Sequence, residues 1–182
     1  MNDFRSQVEG QRPYLLRYAS LQLRDRQAAE DAVQDTLLAA LAGEAGFAGR
    51  SNLRTWLTGI LKHKIVDAIR RTAREATLLP PQPDTAEFDA LFDQSGHWSA
   101  QPSDWGNPDA TLGQKQFFAV LEECLAHLPA KTADAFMLRE HLGLETGEIC
   151  KELGVTPTHC WVLLYRARMA LRECLETNWF RK

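Results

Sequence analysis

Between residues 75 and 110 the chain carries seven acidic groups, no lysine or arginine, and five of its eight prolines (Pro80, Pro81, Pro83, Pro102 and Pro108). Each proline removes a backbone donor and biases the residue before it away from helix, so no long helix can run through this stretch. With little hydrophobic periodicity of its own, it reads as a linker that divides the 182 residues into two folded parts. It is not a plain spacer, because Phe88, Leu91, Phe92, Trp98 and Trp105 are large apolar groups. Two readings stand for them: packing on the chain's own domains, or docking on a partner.

The linker also exposes how the charge is distributed. The formal net charge is −3, a value that by itself argues against a nucleic-acid partner. Residues 50–74, however, hold seven basic groups and one acidic group, and residues 155–182 hold five basic and two acidic. Residues 1–49 hold five basic and seven acidic groups, and residues 111–154 four basic and seven acidic. Two cationic stretches are thus masked by acidic neighbours. The apolar runs are too short to cross a bilayer and the first residues lack a signal-peptide pattern, so a cytoplasmic location without membrane insertion is expected. Four widely spaced cysteines, Cys124, Cys150, Cys160 and Cys174, do not suggest a disulfide framework, and reduced thiols are expected.

Periodicity upstream of the linker is helical. Pro13 suits a first helical turn, with Tyr14, Tyr18 and Leu21 forming one apolar stripe. A second helix is expected after Asp25 as N-cap, with Ala29, Val33, Leu37 and Ala40 on its buried side. Asp31, Gln34, Asp35 and Leu38 then cluster opposite that stripe, an acidic patch with an exposed leucine. From Ser51 as N-cap, Leu53, Trp56, Leu57 and Ile60 share a face, and Ile65, Ala68, Ile69 and Thr72 repeat the spacing. The two stripes are out of phase by about 140°, which predicts a kink or short loop at Lys62-His63-Lys64. Asp67, Arg70, Arg71 and Arg74 lie opposite the second stripe, a face suited to tracking phosphates beside an aromatic stacker, Trp56.

Downstream, Phe117, Leu121, Cys124 and Leu128 mark an amphipathic helix stopped by Pro129, and a helix over about 131–142 ends at Gly143. The segment 145–160 then reads as helix, Gly154 turn, Thr156 N-cap, Pro157 in the first turn and a new helix, which is a helix-turn-helix signature. In the last helix Cys160, Leu163, Leu164, Ala167, Leu171, Cys174 and Leu175 share the buried stripe, while Thr158, Val162, Tyr165, Arg166 and Met169 lie opposite. The outer face is expected to enter the major groove, Thr158, His159 and Trp161 nearing base edges and Arg166 and Arg168 reaching phosphates. All four cysteines read as small core hydrophobes.

The expected fold is therefore all-α, two small helical domains joined by an acidic linker. Ala29-Glu30-Asp31-Ala32-Val33-Gln34-Asp35-Thr36, Thr55-Trp56-Leu57, Asp67-Ala68-Ile69-Arg70-Arg71, Leu128-Pro129, Gly147-Glu148-Ile149, Leu153-Gly154-Val155 and Tyr165-Arg166-Ala167-Arg168 follow one another in an order and spacing that resemble the extracytoplasmic-function (ECF) group of bacterial RNA polymerase sigma factors. The resemblance implies an initiation factor without catalytic residues, cofactor, metal or small-molecule substrate. It implies sigma region 2 over residues 1–74, a linker over 75–110 that threads into polymerase channels, and sigma region 4 over 111–182.

Its implied partners are core RNA polymerase, through the β′ clamp helices and the β subunit, promoter DNA, and an anti-sigma factor in a stress response. Carried over by position, Asp31, Gln34, Asp35 and Leu38 meet the clamp helices. Arg54, Trp56, Lys62, His63, Lys64, Arg70, Arg71 and Arg74 serve the minus-ten element. Arg139, Thr156, Thr158, His159, Trp161, Val162, Tyr165, Arg166 and Arg168 serve the minus-thirty-five element. Two departures stand out: His63 where the family often has Asn, and Trp161-Val162-Leu163 where cationic and small polar residues are usual.

One competing reading is a helix-turn-helix regulator that acts without polymerase; it leaves the acidic face of residues 31–38 and the cationic stretch after Trp56 without a purpose. The other is a thiol or metal enzyme built on Cys124-x-x-His127, the one Cys/His pair with suggestive spacing.

Overall fold

In the computed structural model the residues described are 4–47, 49, 51–77, 89–97, 99 and 115–180. Phe88, Trp98, Trp105 and the five linker prolines lie outside them. All regular elements among the described residues are helices, and the chain divides into two compact units, Met1–Glu75 and Ala76–Lys182.

The first unit comprises α1 (Phe4–Glu9), α2 (Arg12–Leu23), α3 (Arg26–Ala42), a short 3-10 turn (Glu44–Gly46) and α4 (Leu53–Thr77). Asp25 caps α3 by accepting the Ala28 backbone N–H at 2.8 Å, satisfying one of the donors a helix start leaves unpaired. Ala29, Val33, Leu37 and Ala40 are buried as their spacing required, and α3 packs against α1 and α2.

Three expectations in this unit are overturned. The buried side of α2 is Leu15, Ala19 and Gln22 rather than the Tyr14, Tyr18, Leu21 stripe. Tyr14 is exposed and lies beneath the Arg54 guanidinium, 4.6 Å from its ring centre. A tyrosine with a polar tip is well suited to such a rim, while Ala19 lets α2 approach α3 closely. The cap of α4 is Asn52 and not Ser51, since the Asn52 side chain accepts the Thr55 N–H at 2.8 Å.

The expected break at Lys62-His63-Lys64 is absent, and α4 is one helix of 25 residues. Leu61, fully buried and outside both expected stripes, joins them. Leu57, Leu61, Ile65, Ala68 and Ile69 form one buried seam in steps of three and four or one, which a straight α-helix keeps on one side. Leu53, Trp56 and Ile60 are only half-buried along its edge.

The second unit contains α5 (Lys115–Ala126), α6 (Ala130–Glu140), α7 (Thr146–Leu153), α8 (Pro157–Leu175) and a terminal π turn (Glu176–Phe180). Helix α8 packs against α5, α6, α7 and the terminal turn. Glu145 and Glu148 form a reciprocal capping box at the start of α7. Gly154 ends that helix at φ +62°, a left-handed conformation that costs other residues roughly 1–2 kcal/mol. Thr156 accepts the His159 N–H at 3.2 Å and Pro157 occupies the first turn of α8. The helix-turn-helix is formed as its sequence indicated.

The expectation of four reduced thiols is corrected by a disulfide between Cys124 of α5 and Cys174 of α8, with Cα atoms 5.8 Å apart. Each cysteine sits on the apolar side of its own helix, and those sides pack on one another. Cys160 is buried and Cys150 half-buried, both free; burial, above all, raises the Cys160 thiol pKa, and neighbouring Cys150 adds to the effect.

Leu61→Ala is expected to destabilise the first unit by about 2–5 kcal/mol, as much as Leu57→Ala does. A much smaller loss in denaturant unfolding would show that the seam does not run through Leu61. Cys124→Ser is expected to lower the stability of the second unit under oxidising conditions by up to about 4 kcal/mol, the loop-closure estimate for a 50-residue span. Thermal melts with and without reductant check this, since reduced wild type and the variant should melt alike.

Candidate functional site

Helix rotation in the first unit is set by what is buried, and the polar faces follow. On α3, Asp31, Gln34 and Asp35 are exposed, and Leu38 among them is 58% exposed. Asp31, Gln34 and Asp35 line a polar groove of about 720 Å³ whose other wall is α4, through Lys64, Asp67 and Arg71. Lys64 and Arg71, which the sequence grouped with the DNA-facing cations, therefore face the acidic side of α3.

The remaining α4 cations separate further. Arg54 and Lys62 line a second, open cavity of about 380 Å³ together with Tyr14, Asn52, Thr55 and Gly59. Besides stacking on Tyr14, Arg54 donates its Nε–H to the Gln11 side-chain oxygen at 2.9 Å. His63, Arg70 and Arg74 project away from the seam at 100° per residue; His63 and Arg74 are exposed, and Arg70 pairs with Asp67 at 3.2 Å. Trp56 is not a free stacking surface. Its ring packs in a cluster with Phe47 at 5.1 Å and Phe4 at 6.4 Å between centroids.

Tyr14, Asn52 and Thr55 were missed as cavity residues. Asn52, next to Ser51, is itself a good N-cap residue type and by that signal leads to its bonded partner Thr55, and Gly59 marks the spot where a helix leaves room. Nothing lies within 4 Å of a Cβ placed on Gly59.

In the second unit, Thr158 and His159 are exposed at the start of α8, and Trp161, Val162 and Tyr165 follow at 55%, 45% and 36% exposure. Leu163 faces the core. The arginines nearby all have carboxylate partners. Arg139 donates to the Leu144 carbonyl at 3.0 Å and to Glu145 at 3.1 Å, tying α6 to the start of α7. Arg168 of α8 pairs with Glu140 of α6 at 2.7 Å. Arg166 pairs with Asp89 of the acidic stretch at 2.9 Å and lies 4.8 Å from the Phe92 ring centre. Thr156 is engaged as the cap. Of the aromatic groups in that stretch, Phe92 packs on the chain's own second unit, its ring 6.2 Å from that of Tyr165.

The chain matches the family model for Sigma-70 region 2 over residues 8–75 and that for Sigma-70, region 4 over residues 118–171. A probable RNA polymerase sigma factor of Haemophilus influenzae is 38% identical to it over 166 residues, 90% of this chain and 85% of that protein. The ECF sigma factor SigG of Mycobacterium tuberculosis is 30% identical over 184 residues, 93% of this chain and 48% of that one. The chain is an ECF sigma factor.

The ferric citrate uptake sigma factor FecI of Escherichia coli is 33% identical to this sigma factor over 147 residues, 81% of this chain and 74% of that one. As a member of the family it is a transcription initiation factor, and its sigma-70 domains imply RNA polymerase and promoter DNA as partners. Among the described residues, no helix of the sigma factor is long and apolar enough to cross a membrane. Cys124, the thiol considered with His127 as a metal or nucleophile pair, is bonded to Cys174, and the His127 Nδ1–H donates to the Glu123 carbonyl at 2.7 Å. The pair has no thiolate to offer.

Proposed function

We propose that this sigma factor docks on core RNA polymerase through the α3 face and reads the minus-ten and minus-thirty-five promoter elements with α4 and α8. The observation that carries the docking surface is Leu38, an exposed leucine one helical turn from Gln34 and Asp35, beside the groove that Asp31, Gln34 and Asp35 line. A partner helix that brings apolar and cationic groups together, the part this reading gives to the β′ clamp helices, covers the leucine and pairs the carboxylates at once. Lys64 and Arg71 on the opposite wall belong in this reading to the docking groove rather than to DNA.

The minus-ten reading centres on the cavity of Tyr14, Asn52, Arg54, Thr55, Gly59 and Lys62. Flipping a single base out of the stack costs a few kcal/mol. An aromatic ring with cations at the cavity rim supplies the stacking and phosphate contacts that offset this. Trp56 is held in the aromatic cluster with Phe47 and Phe4, while His63, Arg70 and Arg74 on the outer face track the backbone of the melted strand.

On α8, Thr158, His159, Trp161, Val162 and Tyr165 face bases of the minus-thirty-five element, Trp161 and Val162 favouring thymine methyls, with Arg166 reaching phosphate. Arg139 and Arg168 act one step back, by holding α7 and α8 in register with α6. The acidic linker, the cytoplasmic setting, an anti-sigma partner and a stress-linked regulon complete the reading. Exposed Trp161 and Val162 offer such an inhibitor an apolar contact.

The joint charge reversal Asp31→Lys with Asp35→Lys is expected to weaken binding to purified core polymerase at least about tenfold with an unchanged circular dichroism spectrum. Unchanged affinity would remove the docking assignment. Gly59→Leu has room to fold normally but fills the proposed base cavity. It is expected to keep core binding and reduce open-complex formation at least about fivefold in run-off transcription; full activity would place base capture elsewhere. Tight promoter binding by the isolated chain, with no association with core polymerase in pull-downs, would favour the helix-turn-helix regulator instead.

A further inference from the structure

The acidic stretch contains a short, self-closed turn. The Asp93 carboxylate accepts the Ser95 hydroxyl at 2.6 Å and the backbone N–H groups of Ser95 and His97 at 2.8 and 2.9 Å. The Asp93 N–H donates to the His97 carbonyl at 2.8 Å. The Leu91 carbonyl accepts both the Ser99 N–H at 3.1 Å and the Ser99 hydroxyl at 3.0 Å. The Ser95 hydroxyl, above all, and then the His97 N–H hold Asp93 below the ordinary carboxylate pKa. A segment closed by this many local bonds presents its side chains in one arrangement, unlike a solvated spacer.

What it presents is a carboxylate and a ring. Asp89 meets the Arg166 guanidinium at 2.9 Å, Phe92 lies beneath the same guanidinium at 4.8 Å, and the Phe92 ring packs beside Tyr165 at 6.2 Å. Phe92 is 8% exposed, so in this stretch it is a true packing contact. Arg166 and Tyr165 sit on the outer face of α8, beside Trp161 and Val162, in the part proposed to enter the major groove. A guanidinium between a carboxylate and an aromatic face has the partners that a DNA phosphate and base would otherwise supply.

We infer that residues 89–97 and Ser99 form an intramolecular cap on the DNA-reading face of α8, in which Asp89 stands where a promoter phosphate binds Arg166 and Phe92 packs against one side of Tyr165. The inference rests on the assignment of α8 as the minus-thirty-five reader. Duplex DNA and the cap compete for Arg166 and Tyr165, so the free protein binds duplex weakly. Drawing the linker into polymerase lifts the cap and couples promoter reading to holoenzyme assembly. The ion pair is partly exposed, and it, the cation–π contact and the ring contact are each individually weak in water, which suits a cap that must be displaced.

The test uses the full chain and a labelled 25-base-pair duplex of random sequence, followed by fluorescence anisotropy at several salt concentrations. Asp89→Asn with Phe92→Ala is expected to tighten binding about fivefold. It is also expected to steepen the dependence of log affinity on log salt by roughly one unit, as one further phosphate contact requires. Adding Arg166→Ala to that variant should abolish the gain. An unchanged affinity, or a gain that survives Arg166→Ala and so reflects only removal of an acidic charge, overturns the cap.

Hydroxyl-radical labelling of wild type keeps the test open if the variant folds poorly. Phe92 should become more reactive on saturating duplex while Tyr165 becomes less so, and unchanged Phe92 labelling in the bound state overturns the cap. Holoenzyme selection on a promoter library separates the two ideas. If Trp161→Ala and Arg166→Ala leave minus-thirty-five preference intact, the reading of α8 fails. If they abolish it while the anisotropy gain is absent, the reader stands and the cap fails.

Discussion

Burying one side of an α-helix fixes its rotation about its own axis, and every side chain on the other sides is thereby aimed. This constraint acts on α4 through Leu57, Leu61, Ile65, Ala68 and Ile69, and on α8 through Cys160, Leu163, Leu164, Ala167, Leu171 and Leu175. Rotating either helix by one residue would turn about 100° of its apolar seam into water, a loss of roughly 1.5–3 kcal/mol for each large residue exposed. The rotation of α4 sends Lys64 and Arg71 toward the acidic face of α3 and Arg54 and Lys62 toward the Tyr14 cavity. His63, Arg70 and Arg74 are left outward. A single cationic cluster in the sequence becomes three surfaces with different neighbours.

Each of the three arginines near the outer face of α8 has a carboxylate within reach, Arg139 with Glu145, Arg168 with Glu140 and Arg166 with Asp89. Partly exposed pairs of this kind contribute about 0–1 kcal/mol each to stability. They matter more for placement than for energy. Arg139 and Arg168 are held within the helix-turn-helix frame, where their partners come from α6 and the start of α7. Arg166 is held by the acidic stretch, from outside that frame, so its pairing can be exchanged without disturbing the helices.

Much of this was legible residue by residue. The α3 stripe, the Asp25 cap, the Gly154 turn, the Thr156 cap and the buried face of α8 all follow from local rules, because each needs only neighbours within about one or two helical turns. The face of α2 was misread because tyrosine counts as apolar in a periodic pattern yet settles at a rim, and here Tyr14 lies under Arg54. The sequence suggests a kink that α4 does not have, because neither apolar stripe contains Leu61, which belongs to the seam. The cavity lined by Tyr14 and Gly59 escaped notice for a related reason, since its walls come from two helices.

By itself the sequence determined the class of fold, the order of the helices, the helix-turn-helix and the family to which the chain belongs, since all of these are carried by periodicity, caps and the spacing of motifs along one chain. The tertiary structure alone decided which cations share a surface, that Cys124 meets Cys174 across 50 residues, and that Asp89 and Phe92 lie on Arg166. The physical reason is distance along the chain. Local rules speak for residues a few positions apart, whereas these pairings join residues tens of positions apart and exist only once packing has fixed the rotation and position of each helix.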